Sequence, residues 1–413
     1  MSLLIRDIPN LVGVHNPDQP LRNEALAHLP ELKDAYLIIE QGRIAAFGSM
    51  HQLHYSAADF DDVVDARNNH VLPAWCDSHT HLVFAATREA EFVDKIRGLS
   101  YAEIAANGGG ILNSAHKLQA TSEDDLFSLA WTRLQGAIRL GTGAIEIKSG
   151  YGLTIDAELK MLQVIKRLKA ESPIPIKASF LGAHAFPIEY RADHEGYLRL
   201  LIEDLLPVVA AAGLADYIDV FCEQGFFSPD ETDRILKAGA AVGLKPKIHA
   251  NQLAVSGGVE VGVRNHARSV DHLEYMDAAA IDCLSHSDTI GTLLPACALF
   301  LRSPYPPART LIEQGARVAI ASDYNPGSSP SYNMNLVVAL ACSQMRMLPE
   351  EAINAATIQG AFAMDLQDEV GSIAVGKRAN LIFTKPMNSL AYLPYSFGEN
   401  PVERVMINGA FHP

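Results

Sequence analysis

The chain has 413 residues, of which 48% are hydrophobic and 20% charged, with Gly 29 and Pro 22 showing no low-complexity bias, so a disordered or fibrous protein is excluded. A formal charge of −15 and a pI near 5.4 oppose any general attraction to nucleic acid or an anionic membrane, and neither is expected as a partner. The cysteines Cys76, Cys222, Cys283, Cys297 and Cys342 are odd in number and lack a Cys-x-x-Cys spacing, so neither a disulfide framework nor a thiolate zinc site is implied and reduced, mostly buried thiols are expected.

The first apolar stretch is broken by Arg6, Asp7 and Pro9, and no run approaches the ~20 apolar residues that span a bilayer, so a cytoplasmic location is expected. Ala35-Tyr-Leu-Ile-Ile39 and Arg43-Ile-Ala-Ala-Phe47, separated by Gln41-Gly42, predict a β-hairpin. From Val71 to about Ser322 apolar strands alternate with helices. The strand runs are Val71 to Phe84, Ala144 to Lys148, Ile174 to Leu181, Tyr217 to Cys222, Lys247-Ile248, Ser269-Val270, Thr289 to Leu294 and Arg317 to Ser322. That is about the number that closes a parallel barrel. Helices are predicted over 156–170 and 228–242, the second opened by the capping signal Ser228-Pro-Asp-Glu231. The tail, including Gly371-Ser-Ile-Ala-Val-Gly-Lys377 and Ala379-Asn-Leu-Ile-Phe-Thr384, is strand-like again. The expected fold is therefore α/β: a TIM-type (β/α) barrel over 66–369, with a small β-sandwich domain built from both chain ends, 1–65 plus 370–413.

In a parallel barrel the working residues stand at the carboxyl ends of the strands. Here the runs end at His79 and His81, Lys148, His184, Glu223, His249, His272 and Asp323. On a strand, alternate side chains share a face about 6.6 Å apart, so His79 and His81 can reach one cation. A lone histidine after a strand is more often structural; several converging with an aspartate point to a site. His79, His81, His249 and Asp323 supply the three or four N/O ligands that a catalytic zinc or iron site needs, with no thiolate. Such an ion brings the pKa of bound water to about 7 and provides a hydroxide nucleophile, so hydrolysis is the chemistry suggested. His15, His28, His51, His54, His116 and His412 lie off the strand ends and are expected at the surface.

His79-Thr-His81, His249 at the fifth strand, His272 at the sixth and Asp323 at the eighth resemble the amidohydrolase superfamily in its mononuclear form. Glu223 stands where two-metal members bear a bridging lysine, so one metal is expected, and Lys148 is read as structural. Longer segments are similar to the imidazolonepropionase family within that superfamily. They are His79 to Phe84, Arg88, Ser100-Tyr-Ala-Glu-Ile104, Asn107-Gly-Gly-Gly-Ile111, Glu146-Ile-Lys-Ser-Gly-Tyr-Gly-Leu153, Phe180 to His184, Asp271-His-Leu-Glu274, Tyr305 to Arg309 and Ser322-Asp-Tyr-Asn-Pro-Gly-Ser328. This resemblance implies hydrolysis of the cyclic amide of 4-imidazolone-5-propanoate to N-formimidoyl-L-glutamate, in histidine degradation, by a homodimer.

A carboxylate-bearing substrate needs a cation in an acidic protein, and Arg88 can supply two parallel charge-assisted hydrogen bonds; the other reading of Arg88 is a surface pair with Glu89 or Glu91. The resemblance implies substrate contacts from Tyr151 and His184. Gln252 offers a donor and an acceptor to a ring amide but cannot titrate where some members of the family bear glutamate, which moves any general-base role of this position to Asp323 and His272; the metal and His272 are expected to stabilise the oxyanion, and Asp323 to carry the proton to the leaving nitrogen. Asn325, Gly327 and Ser328 follow Asp323 closely enough for backbone N–H groups and a hydroxyl to line the ligand, although Asn-Pro-Gly-Ser by itself is a turn signal. Gly108-Gly-Gly110 lacks a P-loop ending and suggests a mobile loop over the site. The alternatives are another mononuclear amidohydrolase, such as a purine or pyrimidine aminohydrolase whose substrate carries no carboxylate, and a metal-free barrel scaffold, against which the set of convergent polar ends argues.

Overall fold

The structure is a computed structural model that describes residues 2–99, 103 and 109–413. The Ser100-Tyr-Ala-Glu-Ile104 segment apart from Glu103, and Asn107 and Gly108 of the glycine run, lie outside the described residues.

The first strands are β1 (Ser2–Val12), β2 (Glu31–Glu40), β3 (Arg43–Ser49), β4 (Asp62–Asp65) and β5 (His70–Pro73). β2 and β3 form the expected antiparallel hairpin. Its turn residues Gln41 and Gly42 both have positive φ, 49° and 79°, the pair of left-handed positions that matches strand twist. The barrel strands follow: β6 (Trp75–Asp77), β7 (Thr142–Lys148), β8 (Ile176–Ala183), β9 (Tyr217–Cys222), the short β10 (Lys245–Pro246), β11 (Ile248–Ala250), β12 (Ser269–His272), β13 (Ile290–Leu293) and β14 (Arg317–Ile320). β15 (Leu381–Thr384), β16 (Val402–Ile407) and β17 (Ala410–His412) close the chain. One sheet runs in the order β17-β16-β15-β5-β1-β2-β3, with β4 also on β1. Inward residues from both chain ends, among them Leu3, Ile5, Leu37, Phe383 and Met406, share one core.

Two details differ from the sequence reading. The run from Val71 to Phe84 is not one strand. β5 pairs with β1 and β15, and the chain changes sheet at Ala74, whose N–H donates to Asn380 O at 2.9 Å while Trp75 N–H donates to Gly141 O at 2.8 Å. The small sheet therefore extends past residue 65 to Pro73. Residues 371–377 form no strand: Gly371 and Gly376 sit at φ 89° and 91°, which breaks the pleat, although Ile373 and Gly376 still donate to Gly13 O and Ile44 O.

The barrel strands pair in parallel order from β6 to β14, and helices return the chain between them. Ser122, Thr154 and Ser228 cap the helices Glu123–Arg139, Ile155–Glu171 and Pro229–Ala241; at the last, Glu231 reaches back to complete a capping box. The seam between the last strand and the first is sewn where the candidate ligands stand. Ser322 N and Oγ donate to the two Asp77 carboxylate oxygens at 2.9 and 2.6 Å. Asp323 N donates to His79 O at 3.0 Å, and His81 N to Tyr324 O at 2.8 Å. The chain past β6 stays extended, since Lys148 N donates to Thr80 O at 2.8 Å, which keeps His79 and His81 on one face.

Helix 358–363 packs directly under β6: a Cβ on Gly360 would lie 2.2 Å from Cys76 O. Gly360→Ala is thus expected to shift the strand that carries the histidines and to lower unfolding stability by about 1–3 kcal/mol, the usual cost of overpacking. A fall in the urea midpoint at constant m-value checks this; an unchanged midpoint would mean that the helix yields freely.

Candidate metal centre and substrate cavity

His79, His81, His249, His272 and Asp323 converge in the barrel mouth and are all buried. His79 Nδ1 lies 2.6 Å from Asp271 Oδ2 and His249 Nδ1 3.0 Å from Asp219 Oδ1. Each Nδ1–H is therefore taken by a carboxylate, which leaves an Nε2 lone pair aimed at the centre. His79 Nε2 is 3.5 Å and His81 Nε2 3.6 Å from Asp323 Oδ1, and the Nε2 atoms of His81 and His249 are 3.3 Å apart. His79 Nε2 is buried with no hydrogen-bond partner among the described residues. Acceptors facing acceptors in a buried place are satisfied by a cation. Donor atoms of His79, His81 and Asp323, and of His79, His249 and His272, fall within 4.8 Å of one another. The donor set fits a divalent ion.

Burial holds the pKa of His79 and His81 well below the ordinary imidazole value, with Lys148 adding to the effect on His79 and His184 to that on His81, so both stay in the neutral ligating form. His272 differs. Burial opposes its charge, but Glu274, whose Oε1 is 3.3 Å from Nδ1, together with Asp323 and Asp271, raises its pKa. Asp323 and His272 both have left-handed backbones, φ 53° and 89°, conformations that cost about 1–3 kcal/mol each and that the strand-end hydrogen bonds hold in place.

Behind the histidines lies a buried ionic layer. Lys148 Nζ donates to Glu146 Oε1 at 2.6 Å and Asp219 Oδ2 at 2.7 Å, and stands 3.6 Å from Asp271 Oδ2. Lys247 pairs with the other Glu146 oxygen. One ammonium therefore braces the two carboxylates that orient His79 and His249. Burial acts against charge at both Asp219 and Lys148, yet His249 and Lys148 hold Asp219 below the usual carboxylate range, while Asp219 and Glu146 raise Lys148. Asp219 has no sequence signal beyond its place inside Tyr217-Ile-Asp-Val-Phe-Cys222. Asp271 was visible only as the neighbour of His272.

In front of the ligands is a cavity of about 740 Å³ lined by His81, Arg88, Tyr151, His184, His249, Gln252, His272, Asp323, Asn325, Gly327 and Ser328, with His79 sealed behind. His184 Nδ1 bonds Gly150 O at 2.9 Å, and its ring stacks on His81 at 5.3 Å. The turn bearing Tyr151 is held by Glu158, whose carboxylate accepts from Gly150, Gly152 and Leu153 N–H. Arg88 Nε donates to Ser114 Oγ at 2.8 Å, and its guanidinium lies 5.8 Å from the Tyr151 ring centroid. Among the described residues no ion pair joins Arg88 to Glu89 or Glu91; Glu91 instead accepts from Gly110 N. Gly327 admits that arginine: a Cβ there would lie 2.5 Å from Arg88 Nη1.

Glu223 bridges nothing in the centre, because its Oε2 accepts from Gln252 and Leu253 N–H at 2.9 and 3.0 Å. Gln252 Nε2 donates to Cys297 Sγ at 3.5 Å. That thiol, expected only as a buried cysteine, also stands with His272 and Asp323; Cys76 and Cys222 are buried too, whereas Cys283 and Cys342 are partly exposed. Two expectations are corrected. The N–H groups of Gly327 and Ser328 are not free for a ligand, since both donate to Asn325 Oδ1 at 2.8 Å. His15 and His412 are half-buried rather than at the surface, and burial lowers the pKa of His15 to about 4. Asp271→Asn, which keeps the shape but removes the charge on His79, is expected to lower metal affinity roughly 10–100-fold in a chelator competition; unchanged affinity would remove Asp271 from the ligand support.

The amidohydrolase family model matches residues 70–411. The chain is 53% identical over 410 residues to the imidazolonepropionase of Flavobacterium johnsoniae and 52% identical over 410 residues to that of Christiangramia forsetii, with 99% of each chain covered in both comparisons. It is 42% identical to the imidazolonepropionase of Geobacillus thermodenitrificans over 94% of this chain and 92% of that one. Among solved structures, E. coli guanine deaminase superposes with a TM-score of 0.71 at 14% identity, covering 100% of this chain and 99% of that one. A zinc-bound adenosine deaminase from Xanthomonas campestris superposes at 0.68 and 17% identity, covering 99% and 92%. These two show a shared fold. On the matched family model, the full-length relatives and the convergent donor set, the chain belongs to the amidohydrolase family and is a metal-dependent hydrolase.

Proposed function

We propose that this chain hydrolyses the cyclic amide of 4-imidazolone-5-propanoate to N-formimidoyl-L-glutamate, a step of histidine degradation. The observation that carries the reading is identity of 51–53% to three imidazolonepropionases over 99% of the chain, against 14–17% for the deaminases that share only its fold. Arg88, which lines the cavity and has no ion pair among the described residues, supports it, because this substrate carries a propionate.

His79, His81, His249 and Asp323 would hold one zinc or iron ion per chain. Such an ion, when bound, polarises a carbonyl and acidifies water towards neutral pH. Arg88 clamps the propionate with its free guanidinium edge, and Tyr151 and His184 wall that end of the cavity. Gln252 meets the ring amide with a group that donates and accepts but does not titrate. His272, whose Nδ1 faces Glu274, donates to the carbonyl oxygen as it becomes an oxyanion. Water adds at the carbonyl carbon, the carbon–nitrogen bond breaks, and Asp323 carries the proton to the departing ring nitrogen. The new carboxylate and the formimidoyl nitrogen are the two groups that this cleavage frees. A homodimer and a cytoplasmic location accompany this reading; among the described residues no helix is long and apolar enough to cross a membrane.

Purified protein is expected to open freshly prepared imidazolone propanoate, seen as loss of ring absorbance, and to leave a panel of purines and pyrimidines untouched. Deamination of a panel member without ring opening would transfer the chain to the aminohydrolase reading. Arg88→Gln is expected to raise KM and to cut kcat/KM at least about tenfold, the scale of a lost charge-assisted hydrogen bond; wild-type kinetics would put the carboxylate elsewhere.

A further inference from the structure

The helix Glu89–Ile96 has no buried residue, yet one of its faces looks into the cavity. Arg88 at its N-cap, Glu91, Phe92 and Lys95 all line that space, and their i, i+3, i+4, i+7 spacing makes them a single stripe. Glu91 is engaged by Gly110 N at 2.9 Å. Phe92 stacks on Phe300 at 5.4 Å. Lys95 Nζ lies 5.8 Å from the Phe300 ring centroid and 3.4 Å from Gly327 O, with no ion pair among the described residues.

Gly327 is the meeting point. One side of it faces Arg88 Nη1, 2.5 Å from where a Cβ would stand, and its carbonyl faces the Lys95 ammonium. Two cations thus converge on one glycine, in a protein of net charge −15, with no carboxylate paired to either among the described residues. Like charges held together at a partly desolvated place cost energy unless an anion completes them. Burial and the proximity of Arg88 lower the Lys95 pKa against the pull of Glu91, as that arrangement requires.

We propose that Lys95 is the second arm of the clamp on the substrate carboxylate, a point charge set beside the planar fork of Arg88. This rests on the reading that the substrate carries a propionate. The two groups divide the work: the guanidinium fixes orientation through parallel hydrogen bonds, and the ammonium, at the outer end of the stripe, attracts the anion into an otherwise acidic molecule. Lys95 touches no reacting atom, so its loss weakens binding and leaves the chemical step alone.

The test uses metal-loaded wild-type, Lys95→Met and Lys95→Arg proteins, with steady-state kinetics on imidazolone propanoate and calorimetric titration of glutarate as a simple carboxylate probe. The Met protein is expected to show KM raised roughly tenfold, kcat within about twofold, and glutarate affinity weakened to match, with most of the loss recovered in the Arg protein. Unchanged KM and glutarate affinity would overturn the proposal, as would a fall in kcat at constant KM or failure of the wild-type protein to bind glutarate. If wild type binds glutarate through Lys95 but opens no imidazolone, the clamp stands and the substrate assignment falls.

Discussion

The ammonium of Lys148 is the constraint on which the site rests. It is fully buried, and desolvation alone would expel or neutralise it. It stays because β7, β9 and β12 each turn a carboxylate inward at the same level, Glu146, Asp219 and Asp271. Those carboxylates are in turn committed: Asp219 to His249, Asp271 to His79. The imidazoles thereby receive a fixed tautomer and a fixed direction from the barrel wall. Breaking one member of such a layer leaves a buried charge uncompensated, at a cost of about 3–5 kcal/mol, so ligand geometry and barrel stability are one property here.

The mouth of the barrel uses the opposite device, local backbone strain. Asp323, just past β14, and His272, the last residue of β12, occupy left-handed conformations that a strand cannot continue, and each turns a side chain into the centre. The Asp323 turn is held by Asn325, which accepts from Gly327 and Ser328 N–H and donates to Asp323 O at 2.7 Å. The same turn presents Gly327 to Arg88. A single short segment after β14 therefore sets a ligand carboxylate on one side and the carboxylate-binding end of the cavity on the other, which fixes their separation.

Much of this was readable from residues alone, for definite reasons. Strand ends are marked by a change from apolar to polar, so His79, His81, His249, His272 and Asp323 stood out, and the cavity gathers all of them but the sealed His79 with Arg88 and Tyr151. Ser228 and Glu231 announced a helix start through a local bond that needs no tertiary partner. What stayed hidden depends on contacts distant in sequence. Asp219 looks like any polar residue in a strand until β11 brings His249 beside it. The change of sheet at Ala74 is invisible in an apolar run, because Asn380, more than 300 positions away, decides it. Gly371 to Lys377 carry strand-like side chains, but two glycines with positive φ bend the backbone out of the pleat.

The decisive measurement is the metal content of freshly purified protein set beside that of His249→Ala. One zinc or iron ion per chain is expected in the unaltered protein and none in the variant, with the circular dichroism of the barrel retained. Active protein that carries no such ion, or a folded variant that keeps it at full occupancy, would show that these side chains do not hold a catalytic metal.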